Sequence, residues 1–307
     1  MENHSITEHN HRIRPIDGIT LERIFRALGN RLMNKTARLS WIRSWSSSGY
    51  VSKEGVSSDL FPEVDPEIVF NSLSQDGVWR GFKLPKSVLT RLCEFANNSP
   101  AYGNRNPCFG FYPKDLKGAQ LKTGVNFTVA SYYNTYEQCP EIRLIAQDPV
   151  LNEVALRYIG PRAKLLSTNM WWSYANYTKK ADQNQYAQLF HYDLDDYKFM
   201  KFFFYLTDVD SGTGPHVYIK GTHKKKSIKH VYPMRRFQDD EINSTYLRES
   251  KLVLEGQAGD GFAEDTFGIH KGAVPVTKDR LILEIYYAIS RGFTDFHDSS
   301  QLKMIEL

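Results

Sequence analysis

The run Phe199-Met200-Lys201-Phe202-Phe203-Phe204-Tyr205-Leu206 limits what this 307-residue chain can fold into more than any other stretch. Its aromatic and aliphatic side chains fall on both sides of an extended backbone, the pattern of a strand covered on both faces. Such a strand belongs in the middle of a sheet. Two further runs of this kind, Lys164 to Tyr174 and Leu281 to Ile289, give it neighbours, and Lys251 to Glu255 reads as a shorter strand before a turn at 257–260. Helical spacing appears around them in Ile68 to Leu73, in Pro85 to Phe95 with proline in the first turn, and in Asp148 to Tyr158, ended by Gly160-Pro161. The expected class is mainly β with flanking helices.

Enough apolar material is present to cover such a sheet, since hydrophobic residues make up 41% of the chain and aromatic residues 13%. No apolar run is long enough to cross a bilayer. The polar start Met1-Glu2-Asn3-His4-Ser5 lacks the apolar centre of a secretion signal, so a soluble, cytoplasmic protein is expected. Cys93, Cys108 and Cys139 have no C-x-x-C spacing and read as reduced structural thiols. The formal charge of +4 is uneven, because residues 1 to 53 hold nine Lys and Arg against four Asp and Glu. Residues 1–55 thus read as a basic, partly helical N-terminal extension, with an amphipathic helix from Ile19 to Trp45, and residues 56–307 as one domain. The near-neutral remainder argues against a nucleic-acid surface.

The candidate site is spread along the second half of the chain. His191 and Asp193 are two apart, so on an extended segment both side chains leave one face. His270 follows much later in Gly268-Ile269-His270-Lys271-Gly272, and Arg280 lies ten residues beyond it at the head of an apolar run. Two imidazoles and a carboxylate on one side of an ion form the ligand set of non-haem Fe(II) oxygenases, which leaves positions open for cosubstrate and O₂.

These residues, with Leu206-Thr207-Asp208, the turn Gly212-Thr213-Gly214-Pro215, Ile219-Lys220-Gly221-Thr222-His223-Lys224 and Gly259-Asp260, make the chain resemble the phytanoyl-CoA dioxygenase family of Fe(II)/2-oxoglutarate oxygenases. The resemblance runs from about residue 68 to 290. It implies a double-stranded β-helix (jelly roll, cupin-like) over 56–307, with Fe(II) on His191, Asp193 and His270. Arg280 would hold the distal carboxylate of 2-oxoglutarate through a two-bond fork that lysine cannot supply. It also implies O₂ as cosubstrate and succinate and CO₂ as products, with hydroxylation of a small organic molecule as the default outcome, and the basic loops and abundant Tyr and Trp suit a polar or anionic one. Related halogenases lack the carboxylate ligand, whereas Asp193 is present here. Two departures stand out: Gly272 occupies a position where the family tends to carry serine, and His216 one that is usually apolar.

The strand at 164–174 would lie against the cosubstrate. Either Thr168, Met170, Trp172 and Tyr174 face inward or Asn169, Trp171 and Ser173 do; the second set is expected, although ordinary sheet core accounts for the tryptophans equally well. The turn-rich stretch from Asn97 to Pro107 and the stretch from Val125 to Tyr136 are expected as insertions covering the site. The polar segment 235–249 is a candidate lid. Lys224-Lys225-Lys226 and Lys229 form a basic cluster that reads as a solvated loop or as an anion contact. Three other readings stay open, a silent jelly roll that binds an oxoacid, a module acting through its basic N-terminal helices and a metal-dependent isomerase of cupin type.

Overall fold

The computed structural model describes residues 50–51, 55–175, 188–231, 235–289 and 299–307. The amphipathic helix expected over 19–45 lies outside the described residues, as do most of the 1–55 extension and all but Gln188 of the polar stretch Tyr177 to Gln188, whose composition reads as a loop.

The major sheet contains, in chain order, β1 (Val78–Lys83), β2 (Ala101–Gly103), β3 (Gly110–Phe111), β4 (Val129–Tyr132), β5 (Lys164–Ser173), β6 (Phe199–Tyr205), β9 (Asp260–Glu264) and β11 (Arg280–Ala288). The minor sheet contains β7 (His216–Ile219), β8 (Lys251–Leu254) and β10 (His270–Gly272). Spatially the major sheet reads β1-β9-β6-β11-β5-β4-β2-β3 and the minor one β10-β7-β8, with antiparallel neighbours throughout. The aromatic run becomes β6, between β9 and β11, and the last apolar run becomes β11, between β6 and β5. Both are central strands. Tyr218 and Leu254 of the minor sheet share a buried cluster with Phe203, Tyr205, Phe262 and Ile282 of the major one, so the two sheets pack face to face. The architecture is a jelly roll with flanking helices.

Period-2 alternation decides which residues meet the helices. Leu281, Leu283, Ile285 and Tyr287 of β11, Phe202 and Phe204 of β6, and Met170 of β5 pack into the largest core cluster. They meet Val69 and Leu73 of α1 (Pro66–Asp76), Leu92 of α2 (Lys86–Asn98), Ile142 of a helix over Pro140–Ala146 and Val154 of a helix over Pro149–Ile159. Each fully buried side chain of this kind contributes roughly 1.5–3 kcal/mol by leaving water. The alternate residues of the same strands face the space between the sheets.

Local chemistry fixes the helix that leads into β1. Asp65 caps α1 by accepting from the Glu67 N–H at 2.8 Å, and Pro66 sits in the first turn. Gly77 ends it in the left-handed region at φ 84°, donating to Leu73 O. A Cβ at Gly77 would also run into the Tyr218 hydroxyl and the His223 ring, so two independent constraints demand glycine there.

Part of the expected loop structure is sheet instead. The stretches around 97–107 and 125–136 contribute β2 and β4, and β4 pairs with β5 from Val129↔Ser173 to Tyr132↔Met170. With β3 these strands are two to four residues long, and the segments that separate them carry glycine, asparagine and proline. Their pairing comes from the edge that β5 offers, not from local propensity.

Candidate metal centre and cavity

His191 and His270 meet through their backbones. The two residues form an antiparallel bridge, His191 N–H donating to His270 O at 2.9 Å and His270 N–H to His191 O at 2.8 Å. Their ring centroids lie 4.3 Å apart. Asp193 is fixed beside them by its N–H, which donates to Thr266 O at 2.8 Å. One ligand atom from each of His191, Asp193 and His270 lies within 4.8 Å of the others, a spacing that can hold a metal ion.

The protonation states suit such an ion. Nδ1 of His191 lies 2.9 Å from Leu189 O, and Nδ1 of His270 lies 2.9 Å from Gly268 O. A carbonyl only accepts, so both Nδ1 atoms carry the hydrogen and both Nε2 atoms keep a free lone pair. Burial lowers both imidazoles below the usual histidine range, His191 strongly and with help from His270 next to it. Burial alone would raise the Asp193 carboxyl, but Lys201, His270 and His191 outweigh it and hold the group well below the carboxylate range.

Lys201 is a component that the motif did not reveal. Its Nζ lies 3.0 Å from Asp193 Oδ2, 3.5 Å from Glu284 Oε2 and 3.7 Å from Asp195 Oδ2. Burial opposes its charge, and these carboxylates more than restore it. Glu284 in turn accepts from Asn169 Nδ2 at 2.7 Å. The signal was present in the sequence: Lys201 interrupts an aromatic run and Glu284 an aliphatic one. A lone charge in a strand buried on both faces needs a partner inside.

Arg280 opens the central strand β11 and is 5% exposed. Its Nη2 donates to Ser173 Oγ at 3.3 Å, whereas Nε and Nη1 are buried with no hydrogen-bonding partner among the described residues. A Cβ at Gly272 would approach Nη2 to 3.1 Å, so glycine leaves room for the guanidinium where the family tends to have serine. Ser173↔Arg280, Trp171↔Ile282 and Asn169↔Glu284 are register partners and lie on the inward side of β5 and β11. Asn169, Trp171, Arg280 and the three candidate ligands line one cavity of about 510 Å³.

His216 also lines this cavity and stacks on His270 at 5.4 Å between centroids. Its Nε2 lies 2.7 Å from Oε2 of Glu264, another buried acidic side chain on an inward strand position. Burial, then Arg280, lowers His216 to about 3; burial raises Glu264 to about 8. His223 lies apart from the cavity, with Nε2 3.3 Å from Ser74 O. None of Lys224, Lys225, Lys226 and Lys229 lines the cavity, and Lys226 Nζ sits 3.3 Å from the centroid of the Phe267 ring. The segment 235–249 includes a short helix over Asp239–Asn243, tied to β10 by Lys271 Nζ at 2.6 Å from Asp239 Oδ1. Arg236 reaches the cavity from its start, and Arg105, Ser131 and Tyr133 from the sheet extension at β2 and β4.

Among solved structures, the chain is similar to SnoN, the non-heme alpha-ketoglutarate-dependent epimerase of nogalamycin biosynthesis. The TM-score is 0.52 at 13% identity, covering 72% of this chain and 82% of that one. HygX from Streptomyces hygroscopicus, solved with nickel and 2-oxoglutarate bound, gives 0.49 at 14% identity over 75% and 89%. EctD from S. alaskensis, solved with bound Fe, gives 0.47 at 12% over 83% and 97%. The likeness to SnoN is one of fold, that of the cupin-like jelly rolls. No protein-family model matches the sequence, and no curated protein matches it. Among the described residues no helix is long and apolar enough to cross a membrane.

Proposed function

We propose that this protein is an Fe(II)/2-oxoglutarate-dependent dioxygenase that hydroxylates a C–H bond of a small organic molecule, of the kind represented by the phytanoyl-CoA dioxygenase family. One observation carries the reading: two imidazoles with free Nε2 atoms, an ionised carboxylate and a buried guanidinium with spare donors all face one cavity. The donor set fits ferrous iron, which takes neutral imidazole and carboxylate on one face. The solved neighbours named above include enzymes that use 2-oxoglutarate or were seen with Fe or nickel.

An iron ion bound there, with the oxoacid and O₂, would supply the oxidising chemistry that ends in succinate, CO₂ and a hydroxylated carbon. The chain's own residues prepare the place. Leu189 O and Gly268 O orient the two imidazoles, and Lys201 keeps Asp193 ionised by donating to its Oδ2 at 3.0 Å. Nε and Nη1 of Arg280 keep donors for a carboxylate in a buried site, and either one can complete a two-bond fork with Nη2. Ile282 and Phe203 close the wall between them with apolar surface.

The test is anaerobic addition of Fe(II) and then 2-oxoglutarate to the whole protein. The expected result is the weak visible charge-transfer band of the chelate, and slow succinate formation once air is admitted. Absence of the band together with absence of 2-oxoglutarate binding by calorimetry would remove the proposal.

A further inference from the structure

Two arginines in the cavity remain without a role. The bridge between Phe190 and Phe237, with Phe237 N–H donating to Phe190 O at 2.7 Å, sets Arg236 alongside His191. Arg236 Nη1 is buried and makes no hydrogen bond to the described residues. Burial lowers its pKa, Asp193 raises it and Arg105 lowers it again, which puts Arg236 within electrostatic reach of both the ligand cluster and the second arginine.

Arg105 is delivered by the turn between β2 and β3 in an unusual way. Asn104 and Arg105 are consecutive non-glycine residues in the left-handed region, at φ 52° and 58°. That conformation costs roughly 1–2 kcal/mol per residue. Hydrogen bonds hold it: Tyr133 OH donates to Arg105 O at 2.8 Å, Asn104 Nδ2 to Asn126 O at 3.0 Å and Thr128 N–H to Asn104 Oδ1 at 2.9 Å. The guanidinium lies 5.9 Å from the centroid of the Trp171 ring, over an inward residue of β5.

The charges of the cavity do not balance. Four cations, Arg105, Lys201, Arg236 and Arg280, line it against two carboxylates, Asp193 and Glu284. Lys201 is engaged by its acidic neighbours, and a metal dication and an oxoacid dianion would cancel each other. Among the described residues, neither Arg105 nor Arg236 has an acidic partner. Exposure also grades outward, from buried Arg280 through part-buried Arg236 to exposed Arg105. An oxoacid reaches the deepest guanidinium, which leaves the outer two for another anion.

We propose that the substrate is a small molecule bearing an oxyanion, a carboxylate or a phosphate, gripped by Arg236 and Arg105, with Trp171 and Tyr133 flanking the part that enters the cavity. This rests on the oxygenase reading for the word substrate, and on the two arginines alone for the anion site.

Calorimetric titration of the whole protein with inorganic phosphate and, separately, with benzoate tests it, both metal-free and loaded anaerobically with Fe(II) and 2-oxoglutarate. Saturable binding of one probe is expected, weakened about 10- to 100-fold by Arg236→Gln and several-fold by Arg105→Gln, and unchanged by Lys224→Gln. Preference for phosphate assigns a phosphate ester, and preference for benzoate a carboxylic acid. Arg236→Gln should retain the chelate band, which also reports that the variant is folded. Anion binding indifferent to both arginines, or absent while the band forms, would overturn the inference. So would loss of 2-oxoglutarate affinity in Arg236→Gln equal to the loss of the probe. Arginine-dependent anion binding without any band would instead sink the oxygenase reading and leave the anion site standing.

Discussion

The two faces of the major sheet are built from the same strands and have almost nothing else in common. On the helix side, β11 presents Leu281, Leu283, Ile285 and Tyr287; one residue out of phase, towards the minor sheet, it presents Arg280, Ile282, Glu284 and Tyr286. β6 repeats part of the contrast, with Phe202 and Phe204 on one side and, on the other, Lys201 beside Phe203 and Tyr205, which pack against the minor sheet. The apolar side holds the domain together through area removed from water. The polar side stores buried charge that only partners, protein or ligand, can compensate. A two-residue period thus lets one strand serve stability and chemistry without compromise between them.

That contrast can be broken from either side. The largest effect is expected from His270→Ala, which should lose ferrous binding beyond the roughly 10- to 100-fold that outer partners of a metal site are worth, while circular dichroism shows the fold retained. Leu283→Ala, on the opposite face, should do the reverse: a destabilisation of about 2–5 kcal/mol in urea unfolding with 2-oxoglutarate affinity unchanged. A metal-site defect in Leu283→Ala that survives at temperatures where it is folded would show that the faces are coupled. Arg280→Lys keeps the charge and removes the fork, so 2-oxoglutarate binding by calorimetry should weaken on the order of 10-fold, about one charge-assisted hydrogen bond.

The smallest effect concerns His223, which lies where α1 meets the minor sheet and belongs to neither face. Burial, opposed by Asp265, lowers it to about 4. In the unfolded chain a histidine titrates near 6.5, so between those values the unfolded state binds the extra proton. Stability from this group is complete above about pH 6.5 and is lost as pH falls towards 4. Thermal melts of wild type and His223→Gln should therefore diverge less at pH 4.5 than at pH 7, by roughly 1–2 kcal/mol. Parallel curves would refute the assignment.

The central strands were legible because burial on both faces writes an unbroken apolar run, and α1 because Ile68 to Leu73 has helical spacing, while its ends at Asp65-Pro66 and Gly77 are set by the caps that the structure shows. β2, β3 and β4 were not, since strands this short carry no measurable period and take their pairing from β5. The same division applies to the site. His191, Asp193, His270 and Arg280 stand in recognisable spacing, and their meeting is a matter of tertiary contact. Lys201 and Glu284 were visible as isolated charges in apolar strands. Arg105 and Arg236 were not, because a surface-like arginine in a loop looks the same whether it points to solvent or into a cavity.

The main-chain bridge between His191 and His270 has a temporal consequence. On a chain emerging from the ribosome, His191 and Asp193 appear long before the third donor, and that donor takes its position only when its strand docks beside the first. Capture of the ion should follow acquisition of the native topology instead of guiding it, unlike a zinc finger, whose metal is needed for folding. Loading of the proposed metal site is then a step that comes after folding, and protein prepared without metal should already give the native circular dichroism.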